Sequence, residues 1–429
     1  MSKETKTTTR ASRKTLKTSA AAWRFIQDDY AGGHAHKAAG KPVVWSCALM
    51  DKEIYQAMGI YGFYPEQYAS LAAVQGRTAG GEKDAVRYAR IAEEHGYSTD
   101  LCGYHRACMG YVINGNLADG PLGGMPAPDL LVTTSSVCDL RLKWWEDMAQ
   151  RLHVPMFILD RPERNLRYGR METPQPHEVR YYRSQLEDLI AYTTEVTGIK
   201  YDKDRLNACL DLSYLTNELR LEILELRKSV PSPMGASDGF STVYPAMYCS
   251  GSEKAYRFYR ALRDEVKAKV EQGQGQVEHE RFRLMWTGIP TWFNTSLMNY
   301  FEPLGGVFAM ETNYVPYVWP LRMPEDPLTE LAYRSLSEGN ELLWESTMGQ
   351  PVVAREFKID GVVVNSVYTC RPVYLPHLEM VRVLEKELGI PSVVIDCDFV
   401  DERSYSEGQV RTRLDALAER ILANKGIRV

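Results

Sequence analysis

The chain has 429 residues, too many for one ordinary hydrophobic core, so two or three domains are expected. Its 44% hydrophobic and 25% charged content is that of a globular protein, and a formal net charge of −5 gives no reason to expect nucleic acid or a membrane surface as partner. The longest apolar runs, such as Leu130–Val132 and Val362–Val364, fall far short of a bilayer span, and no apolar h-region marks a signal peptide. A cytoplasmic location is therefore expected.

Residues 1–20 are rich in Lys, Arg, Thr and Ser and read as a disordered or partner-wrapping arm, with a transit peptide as the competing reading. A helix is expected over Ala20–Tyr30, then a loop Ala31–Lys41 with three glycines, then a strand Val43–Cys47. From there a strand–loop–helix rhythm sets in. Glu82–His95 has helical spacing at Ala85, Tyr88, Ile91 and Ala92. The Pro-rich Pro121–Pro128 leads to a strand Asp129–Thr133, a helix Leu142–Arg151 and a strand Val154–Leu159.

Long helices fill residues 176–232, with Tyr181, Leu186, Leu189, Ile190 and Tyr192 on one side, until Pro231 and Pro233. A helix Glu253–Gln272 and a polar linker follow. Strands at Arg283–Thr287, Gly306–Met310, Gly361–Asn365 and Ser392–Asp396 then alternate with helices near 325–348, 375–388 and 407–425. Such alternation implies parallel sheets covered on both faces. The expected fold is α/β, with two doubly wound, flavodoxin- or Rossmann-like domains over residues 41–175 and 281–429. A helical block at 176–280 separates them, and a basic arm and helix at 1–40 precede them.

Eight cysteines (Cys47, Cys102, Cys108, Cys138, Cys209, Cys249, Cys370 and Cys397) are scattered over this length, which suits neither a disulfide framework nor a C-x-x-C metal motif. Each is either a small core residue or a thiolate ligand. In open α/β sheets, ligands bind beyond the carboxyl ends of the strands. Cys138, in Thr134–Ser135–Ser136–Val137–Cys138, and Cys370, in Ser366–Val367–Tyr368–Thr369–Cys370, both sit there, just before helices whose N-termini favour thiolates. Cys102 could reach the same cleft, and Cys47, at the end of its strand, is the reserve candidate. The other four fit the core reading. Three distant cysteines could equally be three core residues.

At these segments the chain resembles the 2-hydroxyacyl-CoA dehydratase and benzoyl-CoA reductase superfamily. The matching pieces are Asp100–Leu101–Cys102; Met125–Pro126–Ala127–Pro128–Asp129–Leu130 leading to Cys138 and Lys143–Trp144–Trp145–Glu146; Asn365–Ser366 leading to Cys370; and the ending Asp396–Cys397–Asp398–Phe399–Val400–Asp401–Glu402–Arg403. The resemblance covers nearly everything beyond residue 40 and is specific in order and spacing. It implies a 4Fe–4S cluster on Cys102, Cys138 and Cys370 with one iron left for a non-protein ligand or substrate; a double-cubane or bridged cluster is the variant form. The Met-Pro-Ala-Pro-Asp approach and the Lys-Trp-Trp-Glu helix look most like the B-type (O-type) subunit of ATP-dependent benzoyl-CoA reductases. That implies delivery of low-potential electrons to the aromatic ring of an aryl-CoA thioester, giving a cyclic diene-carbonyl-CoA.

The P-loop pattern is absent, because Gly33 to Gly40–Lys41–Pro42 has the wrong spacing, and no G-x-G-x-x-G follows a strand. ATP hydrolysis is therefore expected on partner chains. The resemblance implies a related cluster-bearing subunit, ATP-hydrolysing activator subunits with their own 4Fe–4S cluster, and ferredoxin as the indirect donor. His105, three residues after Cys102, is a candidate proton donor or a structural histidine. Ser135, Ser136 and Thr369 are hydroxyls near the ligands or ordinary turn residues. The Gly288–Trp292 turn offers Pro290 and Trp292 as substrate contacts, against a plain turn with Trp292 packed below it. His34 and His36 read as a solvated loop. The aromatic stretch 314–319 would line a CoA or aryl pocket or cover a subunit interface. Rival functions are an (R)-2-hydroxyacyl-CoA dehydratase subunit, a homodimeric double-cubane reductase and a cluster-free assembly subunit.

Overall fold

A computed structural model describes residues 11–48, 51–76, 81–162, 173–312, 322–338 and 349–427. Its centre is a pair of four-stranded, wholly parallel sheets. The first contains β1 (Val43–Ser46), β2 (Tyr61–Phe63), β3 (Leu130–Thr134) and β4 (Met156–Leu159) in the order β2-β1-β3-β4. The second contains β5 (Phe282–Thr287), β6 (Gly306–Glu311), β7 (Gly361–Ser366) and β8 (Ser392–Asp396) in the order β6-β5-β7-β8. The order is the same in both. In each, the direction of winding reverses between the two central strands, which opens a crevice beyond their carboxyl ends.

The central strands are buried along their whole length, as apolar parallel strands covered on both faces must be. Period-two alternation splits the second sheet cleanly. Leu284, Trp286 and Val363 pack on one face against Leu414 and Ile421, while Met285, Val362 and Val364 pack on the other against Met380 and Leu384. Helices Pro176–Thr197 and Lys203–Arg227 lie between the sheets in sequence. The first is capped by a reciprocal Gln175–Glu178 pair and the second by Asp202.

Several expectations are corrected. The N-terminal helix runs Lys17–Ala38, through the expected loop. Gly33 does not break it; a Cβ there would lie 2.3 Å from the Tyr61 ring, so the glycine serves a close approach. The described part of the basic arm is tied down. Thr15 and Leu16 donate backbone N–H groups to Asp238, and Lys17 and Thr18 donate theirs to Glu265 at 2.7 and 2.9 Å. Tyr181 points outward to Asp160, while Val179, Tyr182 and Leu186 face the core. Helices Lys52–Met58, Pro65–Val74 and Gln350–Glu356 and strand β2 add to the expected set. The aromatic stretch 314–319 and residues 339–348 lie outside the described residues. Among the described residues, no helix is long and apolar enough to cross a membrane.

Helix Pro327–Glu338 packs on the first sheet's core through Leu328, Leu331, Ala332 and Leu336. Its Arg334 lies 2.8 and 3.0 Å from the two Glu53 oxygens and 3.1 Å from Asp51, all buried. Burial works against the Glu53 charge, but Arg334, Lys52 and Ser213 outweigh it and hold the carboxyl well below the usual range. A depressed carboxyl stabilises the fold fully above its unfolded value of about 4.3, and that contribution drains away as pH falls toward the folded value. Arg334→Met removes the largest of these and leaves Glu53 buried without its guanidinium partner. Urea denaturation should show roughly 3–5 kcal/mol lost near neutral pH. The variant should also show a flatter acid limb between about pH 5 and pH 3.

Candidate active site

The crevices of both sheets open onto one cavity of about 170 Å³. Ala48 from beyond β1 and Val137 and Cys138 from beyond β3 line it from the first sheet; Thr287 at the end of β5, Gly288 and Ile289 just after it, and Cys370 beyond β7 line it from the second. Cys102 completes the thiol set. All three cysteines are half-buried free thiols, and each occupies the N-cap of a helix: Cys102 before Gly103–Asn114, Cys138 before Asp139–Leu152, and Cys370 before the short Arg371–Tyr374. Val137, immediately before Cys138, has a φ of 74°, a strained setting for a β-branched residue that aims the next side chain. Arg371 and Asp139, the residues following Cys370 and Cys138, form an ion pair across the two loops.

Burial raises all three thiols above their usual range. Cys370 is pushed up to about 12, and Cys102 is raised well above its usual range, by burial first and then by Cys370, Asp398 and Cys138 beside it. Backbone N–H groups of His105, Arg141 and Val373, each three residues on, act on the three sulfurs in the thiolate direction. Without a metal these groups hold protons; a soft polynuclear cation would displace them. Among the described residues, no three His, Cys, Asp or Glu side chains close on a single ion. Thiols distributed around one cavity instead fit an iron–sulfur cluster, where each thiolate binds a different iron. Arg141 supports that fit, since its buried Nη1 has no protein partner among the described residues and would be satisfied by an anionic cluster edge.

Asp398 ties the cysteine loops together. Fully buried, it accepts the Gly103 N–H at 3.1 Å and the Thr369 hydroxyl at 2.6 Å, so one carboxylate holds the residue after Cys102 and the residue before Cys370. Its other oxygen accepts the Val400 and Asp401 N–H groups at 2.8 and 3.0 Å. Gly103 is required, because a Cβ there would lie 2.2 Å from an Asp398 oxygen. Arg106, 1% exposed, backs the carboxylate at 3.7 Å and pairs with Glu93 and Asp401.

Glu66 brings a carboxylate into the cavity wall. It accepts Arg141 Nε and Nη2 at 3.1 and 2.9 Å and the Ala48 N–H at 2.6 Å. A second cavity of about 260 Å³ shares Tyr104 and Tyr248 with the first. The Tyr104 hydroxyl accepts Trp292 Nε1 at 2.6 Å and the Ser70 hydroxyl at 3.0 Å, and its ring packs on Phe399. Pro290 and Trp292 line this second cavity, so the Gly288–Trp292 turn spans both.

The other candidates sit elsewhere. His105 is buried edge-on against Tyr97 and Trp144, outside the cavity lining, with burial lowering its pKa to about 4. Ser135 donates to Asp160 at 2.6 Å, and Ser136 pairs with Thr134 at 3.2 Å, which is turn chemistry. Cys47 is fully buried, one residue short of the lining. Cys108 donates to the Pro65 carbonyl, Cys397 donates to Asn365, and Cys249 is in the core. His34 and His36 lie on the N-terminal helix. Glu66, Arg141, Tyr104, His377 and Asp398 were not singled out for these positions by sequence reasoning. Only Arg141, one helical turn after Cys138, carried a usable signal.

Two parallel sheets thus present cysteines, from loops beyond their strand ends, to one shared and largely apolar cavity. The chain belongs to the family described as "2-hydroxyglutaryl-CoA dehydratase, D-component", which matches residues 47–421. Among its relatives, the (R)-phenyllactyl-CoA dehydratase alpha subunit of Clostridium sporogenes is 27% identical over 91% of this chain and 92% of its own length. The (R)-2-hydroxyisocaproyl-CoA dehydratase alpha subunit of Clostridioides difficile is 27% identical over 92% of this chain and 94% of its own. A benzoyl-CoA reductase subunit of Thauera aromatica is 29% identical over 76% of this chain and 77% of its own.

Proposed function

We propose that the chain is a catalytic subunit that holds a 4Fe–4S cluster with Cys102, Cys138 and Cys370 and dehydrates an (R)-2-hydroxyacyl-CoA. The observation that carries the reading is the meeting of three cysteines, distant in sequence, on one cavity at the switch points of two sheets. When bound, the cluster would supply the low-potential electron that activates the thioester for loss of water. The protein's part is orientation and proton handling. Leu140, Ile289, Val373 and Phe399 keep the cavity apolar and exclude water. Glu66, the one acid among the described residues of the lining, is positioned by Arg141 and the Ala48 N–H to accept the C3 proton as the 2-hydroxyl departs. The second cavity gives the CoA arm a route past Tyr104 and Tyr248, with Pro290 and Trp292 along it.

The relatives named as dehydratases match over more of the chain than the reductase relative does, which favours dehydration over ring reduction. The second reading, a benzoyl-CoA reductase subunit, draws on the 29% identity to that relative and on the Lys143–Glu146 helix. Its relatives are named as subunits, which supports a multi-subunit assembly; on the resemblance of the cysteine segments we add a related cluster-bearing partner, ATP-hydrolysing activator subunits and ferredoxin as the indirect donor. Electron stoichiometry in the anaerobically reconstituted complex separates the readings. A dehydratase turns over many 2-hydroxyacyl-CoA molecules per electron; two electrons consumed per benzoyl-CoA would replace this reading with the reductase.

A further inference from the structure

His377 opens the helix His377–Leu388 that follows the Cys370 loop, and it lines the cavity with only 1% of its surface exposed. Its Nδ1 has no hydrogen-bond partner among the described residues. Two other buried donors of the lining, Arg141 Nη1 and Trp144 Nε1, are also unpartnered there, and both come from the helix capped by Cys138. His377 is the corresponding group from the second sheet's half, beyond β7. By contrast, Glu66 and Tyr104 have protein partners. A buried imidazole left without a partner costs roughly 1–3 kcal/mol, so its retention in a cavity wall points to a partner brought by a ligand.

The ring's protonation state narrows that ligand. Burial lowers the His377 pKa to about 4, leaving a neutral ring at ordinary pH that can donate one N–H without giving up a proton. A neutral donor suits a carbonyl oxygen that gains negative charge when the thioester accepts an electron, because the hydrogen bond strengthens as that charge develops. An imidazolium would instead protonate the oxygen and quench the reduced substrate.

Building on the acyl-CoA reading above, we propose that His377 donates a hydrogen bond to the thioester carbonyl oxygen of the bound acyl-CoA and is a catalytic residue of this site. The test is infrared difference spectroscopy of a saturated acyl-CoA, 13C-labelled at the thioester carbonyl and lacking the 2-hydroxyl, bound to the full reconstituted complex. The wild type should shift the carbonyl stretch to lower wavenumber. His377→Phe should abolish the shift and lower kcat by about 10²-fold, with a smaller change in KM. His377→Gln, which keeps an N–H donor and guards against a folding failure of the Phe variant, should restore part of both. Binding with an unshifted carbonyl, or an unchanged shift and kcat in His377→Phe, overturns this assignment alone. A wild type that binds no acyl-CoA overturns the acyl-CoA reading and this assignment together.

Discussion

Asp398→Ala should destabilise the protein by about 4 kcal/mol, because it strands several buried donors at once. The Gly103 N–H, the Thr369 hydroxyl and the Val400 and Asp401 N–H groups lose their acceptor, and Arg106 loses one of its three carboxylates. Burial pushes the Asp398 carboxyl above its usual range, and the Thr369, Val400 and Asp401 hydrogen bonds together with Arg106 offset only part of that rise. Asp398→Asn keeps the shape and one acceptor oxygen, so it should lose roughly half as much. Chemical denaturation of the two variants checks the ratio. Because Asp398 joins the Cys102 and Cys370 loops, the alanine variant should also release its metal sooner under chelator than the asparagine variant. A surface-like loss below about 1 kcal/mol would show that the loops are held by something else.

Cys370→Ser should remove nearly all cluster iron and abolish turnover, an effect beyond the roughly 10–100-fold of an outer-sphere change. Cys102→Ser and Cys138→Ser should behave alike. Cys47→Ser is the informative control, because Cys47 is fully buried beside the site yet outside its lining. It should keep its iron and lose only packing stability. Iron and sulfide analysis of anaerobically purified variants, with circular dichroism to confirm folding, checks all four.

Much of this architecture was legible in the chain. The apolar strands at Val43, Leu130, Phe282 and Gly361 are legible because central parallel strands are apolar on both faces. The rule for strand ends then singled out Cys138 and Cys370, while Cys102 needed the resemblance to known relatives. Between β1 and the helix Asp84–Glu94, β2 and the helix Lys52–Met58 leave no readable signal, because three and seven residues are too short to show a period. The expected helix Ala20–Tyr30 stops short of the observed Lys17–Ala38 because glycine reads as a breaker, whereas Gly33 is there to admit Tyr61. The polar groups that organise the site were invisible for another reason. Asp398 meets Gly103 across 295 residues, and Glu66 meets Arg141 across 75, so no local pattern records either pairing. His377 is marked only by what it lacks among the described residues, a protein partner, and that requires the folded cavity.

The central claim is that thiols from both sheets hold one cluster, and its most direct test is Mössbauer spectroscopy of the anaerobically reconstituted, 57Fe-labelled wild type with equal iron and sulfide analysis. One cuboidal 4Fe–4S cluster per chain is expected, with one iron site distinguishable from the three bound by cysteine, and that signal should vanish in the Cys102→Ser, Cys138→Ser, Cys370→Ser triple variant. A wild type without a cluster, or a triple variant that retains it, would contradict the account.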